Sequence, residues 1–289
     1  MSYLVASNIE QALTSLRERE GRARVVAGAT DLFLEELPAH LIDLTVIPET
    51  TLIEEKDGFI SIGAAVTHTA AALSPVVCSG AAALAEACSQ LGSPQVRNIG
   101  TVGGNVVNAA PAADAAVALV ALGAGVLLVD TAGGKREEAV ENLYAGYNRS
   151  VIDSTSEIML RLIIRVTDRE EGSAFIRFAS RKALSLPMVN AAARVRVTDG
   201  FLQEVRLVAA PAGPAPTRLR QTEEMLYGKT PSEGTWAEVE ASAAKEVEVR
   251  GSLLRCSEQY RRHLVGILSA RVLRKAAERA IESREGESR

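Results

Sequence analysis

The sequence contains few of the residues that most often bind metals or act as nucleophiles. It has three cysteines and three histidines in 289 residues. Cys78, Cys88 and Cys256 form no Cys-x-x-Cys pair, so the pattern indicates neither a zinc site nor an iron–sulfur cluster in this chain. Buried free thiols in a reducing compartment are the simplest interpretation. The histidines are scattered without a nearby nucleophile or acidic cluster, which argues against a hydrolytic triad or a metal site.

Long apolar runs and clusters of positive charge are also missing. The longest apolar run, 115–129, is shorter than the ~20 residues needed to cross a bilayer and contains Gly123 and Gly125. The formal net charge is −4 and no Lys/Arg cluster marks a phosphate-binding surface, so nucleic acid is not an expected partner. The first residues lack the basic and apolar segments of a signal peptide. We therefore expect a cytoplasmic protein that does not associate with membranes.

Hydrophobic patterning in the first half of the chain predicts mixed helices and strands. A capping box formed by Ser7 and Glu10 starts a helix that ends near Gly21. A later helix ends at the breaker cluster 92–94. The segment 115–122 is apolar on nearly every side, so a helix there must be covered all round. Strands are predicted at Val25–Val26, Leu41–Leu44 and Phe59–Ile62.

The second half of the chain changes from strand patterns to helical patterns. Alternating apolar residues over 158–166 predict a half-buried strand, and similar alternation predicts a hairpin joined at Asp199-Gly200. Helical patterns follow over 219–226 and from Ser257 to about Ile281. This order favours an α+β layout with a boundary between about 165 and 177.

Two segments combine glycine with small hydroxyl residues and little bulk. They are Ala-Gly-Ala-Thr-Asp-Leu at 27–32 and Thr-Val-Gly-Gly-Asn at 101–105. Glycines let a backbone approach a ligand closely, and successive inward N–H groups form an anion cradle. Neither segment is a P-loop or a Gly-x-Gly-x-x-Gly motif, and a lone Gly-Gly is more often a tight turn. The two segments together, with Pro111 and Asp114 downstream, favour phosphate binding.

Longer stretches around both segments follow the pattern of one family. The residues from Gln95 to Asn105 match Gln-x-Arg-Asn-x-Gly-Thr-x-Gly-Gly-Asn without a gap. The first segment matches Ala-Gly-Gly-Thr-Asp-Leu except at Ala29, and Tyr260-Arg261-Arg262 matches a Tyr-Arg near the start of the last helix. The sequence thus resembles the FAD-binding subunits of molybdenum hydroxylases, such as xanthine, carbon monoxide and nicotinate dehydrogenases, over almost its whole length. If the position of Ala29 requires a positive φ, alanine there costs on the order of 1 kcal/mol.

The resemblance implies a particular α+β domain organisation. A two-subdomain FAD-binding domain of the vanillyl-alcohol-oxidase (PCMH) type is expected over 1–170, with its subdomains divided near 55–60. A smaller α+β domain, similar to the C-terminal domain of the CO dehydrogenase flavoprotein, is expected over 171–289.

The resemblance also implies a set of cofactor-binding residues. Loop residues are expected to bind the FAD pyrophosphate and ribityl chain through backbone and hydroxyl donors. Gly92 is expected to approach the adenosine half, and Asp114 to accept hydrogen bonds from the cofactor. Met159 either meets the flavin or is an ordinary strand residue, and Arg177 is either a cation beside the pyrimidine edge or a solvated surface charge. The loop residues are Val26, Ala27, Gly28, Ala29, Thr30, Asp31, Leu32, Thr101, Val102, Gly103, Gly104 and Asn105.

The implied function is electron transfer through a non-covalent FAD, without a catalytic side chain or a metal in this chain. Molybdopterin is expected on a large partner subunit, and 2Fe–2S clusters on a small one. Electrons would leave the FAD to NAD or another acceptor. A self-contained flavin oxidase of the same fold is the alternative, and a scaffold that has lost FAD is a third.

Overall fold

The computed structural model describes residues 2–32, 38–252 and 256–285, without the side chains of 284 and 285. It confirms the α+β class expected from the sequence. The strands are β1 Ser2–Val5, β2 Ala23–Val26, β3 His40–Asp43, β4 Ile53–Lys56, β5 Phe59–Gly63, β6 Gly125–Asp130, β7 Lys135–Ala139, β8 Tyr144–Gly146, β9 Arg149–Ser150, β10 Glu157–Arg165, β11 Glu171–Phe178, β12 Val189–Thr198, β13 Phe201–Ala210 and β14 Thr217–Arg218. The helices are α1 Ile9–Arg19, α2 Pro48–Thr51, α3 His68–Leu73, α4 Pro75–Gly80, α5 Ala82–Gln90, α6 Pro94–Ile99, α7 Val102–Val107, α8 Asp114–Leu122, α9 Arg220–Leu226, α10 Glu233–Glu246 and α11 Glu258–Glu285.

Three sheets organise the described residues, together with the short β8–β9 ribbon. In the first sheet, β1 and β2 flank β3 and both pairs are parallel. The second sheet is antiparallel and has the order β4-β5-β10-β6-β7. The third sheet is antiparallel and has the order β11-β12-β13-β14, which includes the predicted hairpin of β12 and β13. Strand β10, which comes last in the sequence of this sheet, lies between β5 and β6.

The apolar alternation over 158–166 spans a β-bulge, which divides its residues between two cores. The register of β10 against β6 shifts at Leu160. Ile158 and Leu160 pack with α1 and the first sheet, whereas Leu162 and Ile164 pack in the core around α8. The predicted strand is confirmed, but the single half-buried face is wrong. An extra residue turns the following side chains to the other face, and both faces of β10 are covered.

Helix α8 lies between the second and third sheets, and all nine of its residues are buried. This confirms that the apolar segment is covered all round. The last carbonyls of a helix have no partner within it, and here two arginines of the third sheet donate to them. Arg194 Nη1 donates to Leu122 O and Arg206 Nη2 donates to Val120 O, both at 3.2 Å. The C-terminal half of the chain therefore caps a helix that belongs to the N-terminal half.

Three local features differ from the sequence expectations. Helix α1 is capped by Asn8, not by Ser7, because Asn8 Oδ1 accepts from Gln11 N at 2.8 Å. Strand β11 lies inside the segment assigned to the domain boundary, and its residues do not alternate because most of them are buried. Helix α10 was not predicted, although Trp236, Val239 and Ala243 recur on its buried face.

The 28-residue helix α11 packs along β11 and β12, and α10 packs on α11. Glycine permits two of these contacts. A Cβ at Gly172 would lie 2.0 Å from Ala276 O, and one at Gly266 would lie 2.4 Å from Glu240 O. In the described part of the chain, none of the helices combines the length and the apolar character needed to cross a bilayer.

Truncating the buried helix tests how much stability depends on α8. We expect Leu119→Ala to lower the free energy of unfolding by about 2–5 kcal/mol, because it leaves a cavity between two sheets. The control is Leu73→Ala, since Leu73 is 75% exposed whereas Leu119 is fully buried. Urea denaturation measures both changes. Equal effects of the two substitutions would contradict the central position of α8.

Candidate functional site

A cavity of about 710 Å³ opens between the first sheet, helices α6 to α8 and one end of the third sheet. Its volume is typical of small-molecule and cofactor pockets, which span ~300–1,000 Å³. Its lining includes residues 24–32 and most of 104–114, together with Arg177, residues 184–187 and Arg261. The cavity thus lies where the two halves of the chain meet.

The cavity brings together most of the residues singled out by the sequence. Residues 26–32 line it, and so do Gly92, Thr101, Gly104, Asn105, Asp114 and Arg177. Val102, Gly103 and Met159 are not on its wall. Residues more than 140 positions apart in the sequence therefore share one surface.

Met159 lies in the apolar core and not at the cavity. It is 4% exposed and packs in the cluster that contains α8. That Met159 meets the flavin stays a prediction, and its burial favours the alternative of an ordinary strand residue. Met159 lies on the opposite face from Ile158, and the bulge at Leu160 brings Leu162 and Ile164 to the same core as Met159.

The loop after β2, residues 27–31, lies on the lining of the cavity. Among the described residues, none accepts a hydrogen bond from the N–H groups of residues 27–31. Backbone N–H groups that lack a protein acceptor need a ligand or water. Five consecutive donors on the wall of a cavity form the kind of cradle that suits an anion.

Two small residues shape this loop in different ways. Ala29 has φ 53°, in the left-handed region that glycine adopts without strain. The strain expected at this position is therefore present. Gly28 serves packing, because a Cβ there would lie 2.1 Å from Ile99 O. The absence of a side chain at residue 28 lets the first loop lie against the segment that precedes α7.

The second glycine segment is the start of helix α7, and its N–H groups already have protein partners. Val102 N donates to Val66 O at 2.9 Å, and Gly103 N donates to Ala64 O at 3.0 Å. Gly104 N donates to the Thr101 hydroxyl at 3.1 Å, and Asn105 N donates to Thr101 O at 3.0 Å. That backbone donors of this segment bind a pyrophosphate stays a prediction, and these hydrogen bonds favour the simpler interpretation. A tight strand-to-helix turn, the simpler interpretation, describes its backbone.

Residues that follow this turn still contribute to the cavity. Gly104 and Asn105 line the wall, and Asn105 Oδ1 accepts from Ala116 N at 3.2 Å. Asn108 Nδ2 donates to Asp31 Oδ2 at 2.8 Å, which joins α7 to the first loop. The two glycine segments thus support one another at the same wall.

Asp114 and Arg177 form a buried ion pair at the N-terminus of α8. Arg177 Nε donates to Asp114 Oδ2 at 3.2 Å, and each side chain is 6% exposed. Asn190 Nδ2 donates to Asp114 Oδ1 at 2.6 Å. Burial raises the pKa of Asp114 above its ordinary value, while Arg177 and Asn190 offset part of that rise. A solvated surface charge at Arg177 is therefore ruled out, and much of its charge is balanced within the protein.

Residues 1–165 match the family described as the FAD binding domain in molybdopterin dehydrogenase. Residues 174–276 match the CO dehydrogenase flavoprotein C-terminal domain. The chain belongs to the FAD-binding subunits of the molybdenum hydroxylases.

Individual relatives agree with this family membership. The FAD subunit of nicotinate dehydrogenase from Eubacterium barkeri is 34% identical over 235 residues, which cover 78% of this chain and 79% of that protein. The xanthine dehydrogenase FAD-binding subunit of Escherichia coli is 28% identical and covers 95% of each chain. The solved carbon monoxide dehydrogenase of Hydrogenophaga pseudoflava shares the fold with a TM-score of 0.90 at 24% identity, covering 96% of this chain and 98% of that one.

The cavity fits the cofactor of this FAD-binding family. The donor row of residues 27–31 suits the two negative charges of a pyrophosphate, and the volume suits a large ligand.

Some residues that line the cavity were not expected from the sequence, namely His68, Tyr147 and the 184–187 loop. No motif marks these residues, because their neighbours on the wall come from distant parts of the sequence.

His68 also brings together two residues that the sequence left scattered. Its Nδ1 lies 3.5 Å from Cys88 Sγ. Burial, followed by the charge of Arg97, lowers the pKa of His68 to about 4. Burial raises the pKa of the Cys88 thiol far above its usual range. A neutral imidazole beside a neutral thiol makes a polar contact in the core and does not generate a nucleophile.

Replacing Ala29 by glycine should relieve strain in the donor loop. We expect Ala29→Gly to raise the free energy of unfolding by about 1 kcal/mol, since glycine adopts this φ freely. Ala27→Gly is the matched control, because residue 27 has no positive φ. That control should lower stability by about 0.5–1 kcal/mol through added chain entropy. Urea unfolding measures the stability of both variants. A loss of stability in both would refute strain at Ala29.

Proposed function

We propose that this chain binds FAD non-covalently in the cavity and conducts electrons between partner subunits and a final acceptor. The observation that carries the proposal is the loop 27–31, which lines the cavity and whose N–H groups have no acceptor among the described residues. Residues 26–32, with Gly92, Thr101, Gly104, Asn105 and Asp114, would hold the cofactor. When bound, FAD supplies two-electron and one-electron redox chemistry. The residues of this chain bind it, orient it and limit its access to water.

We further propose that substrate oxidation takes place on other subunits. Curated relatives are named as FAD subunits or medium chains of dehydrogenases. Within the described residues, no group of three or more His, Cys, Asp and Glu side chains is arranged to hold a metal ion. We expect a large subunit with molybdopterin, a small subunit with 2Fe–2S clusters, and NAD or another final acceptor. A cytoplasmic location is part of the proposal and is supported by three free cysteines in the described chain.

The domain boundaries are part of the same proposal. The division near 55–60 stays a prediction and falls within the β4–β5 hairpin, whereas the first sheet ends at Asp43 and the second begins at Ile53, which favours a division a few residues earlier. A boundary between 170 and 171 is supported by the start of the third sheet at Glu171. The domains would be 1–170 and 171–289.

The isolated chain should bind FAD but not oxidise organic substrates. Denaturation should release free flavin in a one-to-one ratio, and apoprotein should take up added FAD. Purines, aldehydes and aromatic acids should leave the flavin spectrum unchanged, whereas dithionite should bleach it. A protein that takes up no FAD would sink the proposal. Steady turnover of an organic substrate by this chain alone would favour a self-contained oxidase.

Substitutions at two neighbouring glycines distinguish an effect on the cavity from an effect on folding. A Cβ at Gly103 would lie 2.5 Å from Ala64 O, so Gly103→Val should abolish folding. A Cβ at Gly104 meets only the Thr101 hydroxyl, at 2.8 Å, and Gly104 lies exposed on the cavity wall. We expect Gly104→Val to stay soluble with a near-normal circular dichroism spectrum and to bind FAD about tenfold or more weakly. Unchanged FAD affinity in Gly104→Val would place the cofactor elsewhere.

A further inference from the structure

Arg261 is a buried cation on the wall of the cavity. It lies in the first turn of α11 and is 5% exposed. One of its nitrogens, Nη1, donates to the Arg250 carbonyl, while its buried Nε has no hydrogen-bond partner. The guanidinium thus retains unused donor capacity beside the cavity.

No carboxylate of the described residues pairs with Arg261. Other arginines with buried side chains behave differently. Arg177 pairs with Asp114, and Arg194 pairs with Glu171 at 2.7 Å. Arg261 is therefore an exception among the buried arginines of the described chain.

A buried guanidinium is costly unless an opposite charge or enough acceptors compensate it. The described protein supplies one carbonyl to Arg261 and no negative charge. Among the described surroundings of Arg261, the cavity is where a negatively charged ligand can lie beside it. FAD offers two such groups, the pyrophosphate and the pyrimidine edge of the isoalloxazine, which gains negative charge on reduction.

We infer that Arg261 binds a negatively charged group of the cofactor in this cavity. The inference rests on the proposed function and adds a residue to it. Arg177, the cation expected from the sequence, is balanced by Asp114, whereas Arg261 has no such partner. Arg261 therefore supplies the uncompensated positive charge of this wall, and its guanidinium makes a charge-assisted hydrogen bond to the ligand.

The test compares Arg261→Met with Arg262→Met in the full-length protein. Arg262 is the neighbouring residue, but it pairs with Glu258 and donates to Val247 O at 2.7 Å, and it does not line the cavity. Equilibrium titration of apoprotein with FAD measures affinity, and a redox titration of the loaded protein measures the flavin potential. We expect Arg261→Met to weaken FAD binding about tenfold or more, or to lower the flavin potential. Arg261→Lys should retain most of either property, and Arg262→Met should change neither.

Two probes distinguish the groups that Arg261 could bind. If it binds the pyrophosphate, ADP affinity should fall in Arg261→Met in parallel with FAD affinity. If it binds the isoalloxazine edge, ADP affinity should stay unchanged while the flavin potential falls. Sulfite, which adds reversibly to flavins whose pyrimidine edge is near a positive charge, should then bind more weakly. Either pattern supports the inference.

The stability of the apoprotein separates ligand binding from a structural role. Removing an uncompensated buried charge should leave FAD-free Arg261→Met at least as heat-stable as FAD-free Arg262→Met. Unfolding of the Arg261→Met apoprotein at a clearly lower temperature would assign Arg261 to structure. Wild-type affinity and potential in Arg261→Met would also overturn the inference. Failure of the wild-type protein to bind FAD at all would instead overturn the proposed function.

Discussion

The burial of α8 between the second and third sheets is the constraint on which the cavity depends. An all-apolar helix must be covered on every side, and neither half of the chain can cover it alone. Arg194 and Arg206 of the third sheet satisfy its last carbonyls, so the halves are joined by hydrogen bonds as well as by apolar contact. The cavity opens at the other end of the same helix, where Asp114 meets Arg177 and Asn190. Coverage of α8 thus decides where the two walls face each other.

The buried charged residues near the N-terminus of α8 differ in whether they form an ion pair, and this difference bears on function. Asp114 and Arg177 balance one another in a buried pair. A negative charge at a helix N-terminus is itself favourable, so the pair stabilises the junction whatever the cavity holds. Arg261 has no such partner, and its charge remains to act on a ligand. Two buried arginines on one wall therefore have separate roles, one structural and one directed at the cofactor.

The two glycine segments contribute differently to the structure. Gly28 and Gly103 are needed because the backbones of Ile99 and Ala64 lie where a Cβ would be. The donors come from the loop at 27–31, whereas the Thr-Val-Gly-Gly-Asn segment uses its own N–H groups to start α7. The Thr-Val-Gly-Gly-Asn segment resembles a phosphate-binding loop in sequence. In the structure it mainly connects two loops. Gly104 and Asn105 of this segment line the cavity.

The sequence alone determined the class of fold, the positions of several of the longer elements and the two segments that line the cavity. These follow from local patterns: helical periodicity, alternation at the β12–β13 hairpin, and glycine beside small hydroxyl residues. Only the tertiary structure decided which backbone donors are free, because their acceptors, such as Ala64 and Val66, are distant in sequence. It also placed Leu162 and Ile164 in the same core as Met159, since one bulge reverses the faces of a strand without a sequence signal. Among the described residues, the lack of an ion-pair partner for Arg261 is also a property of the tertiary structure, because it depends on which residues lie near it in space.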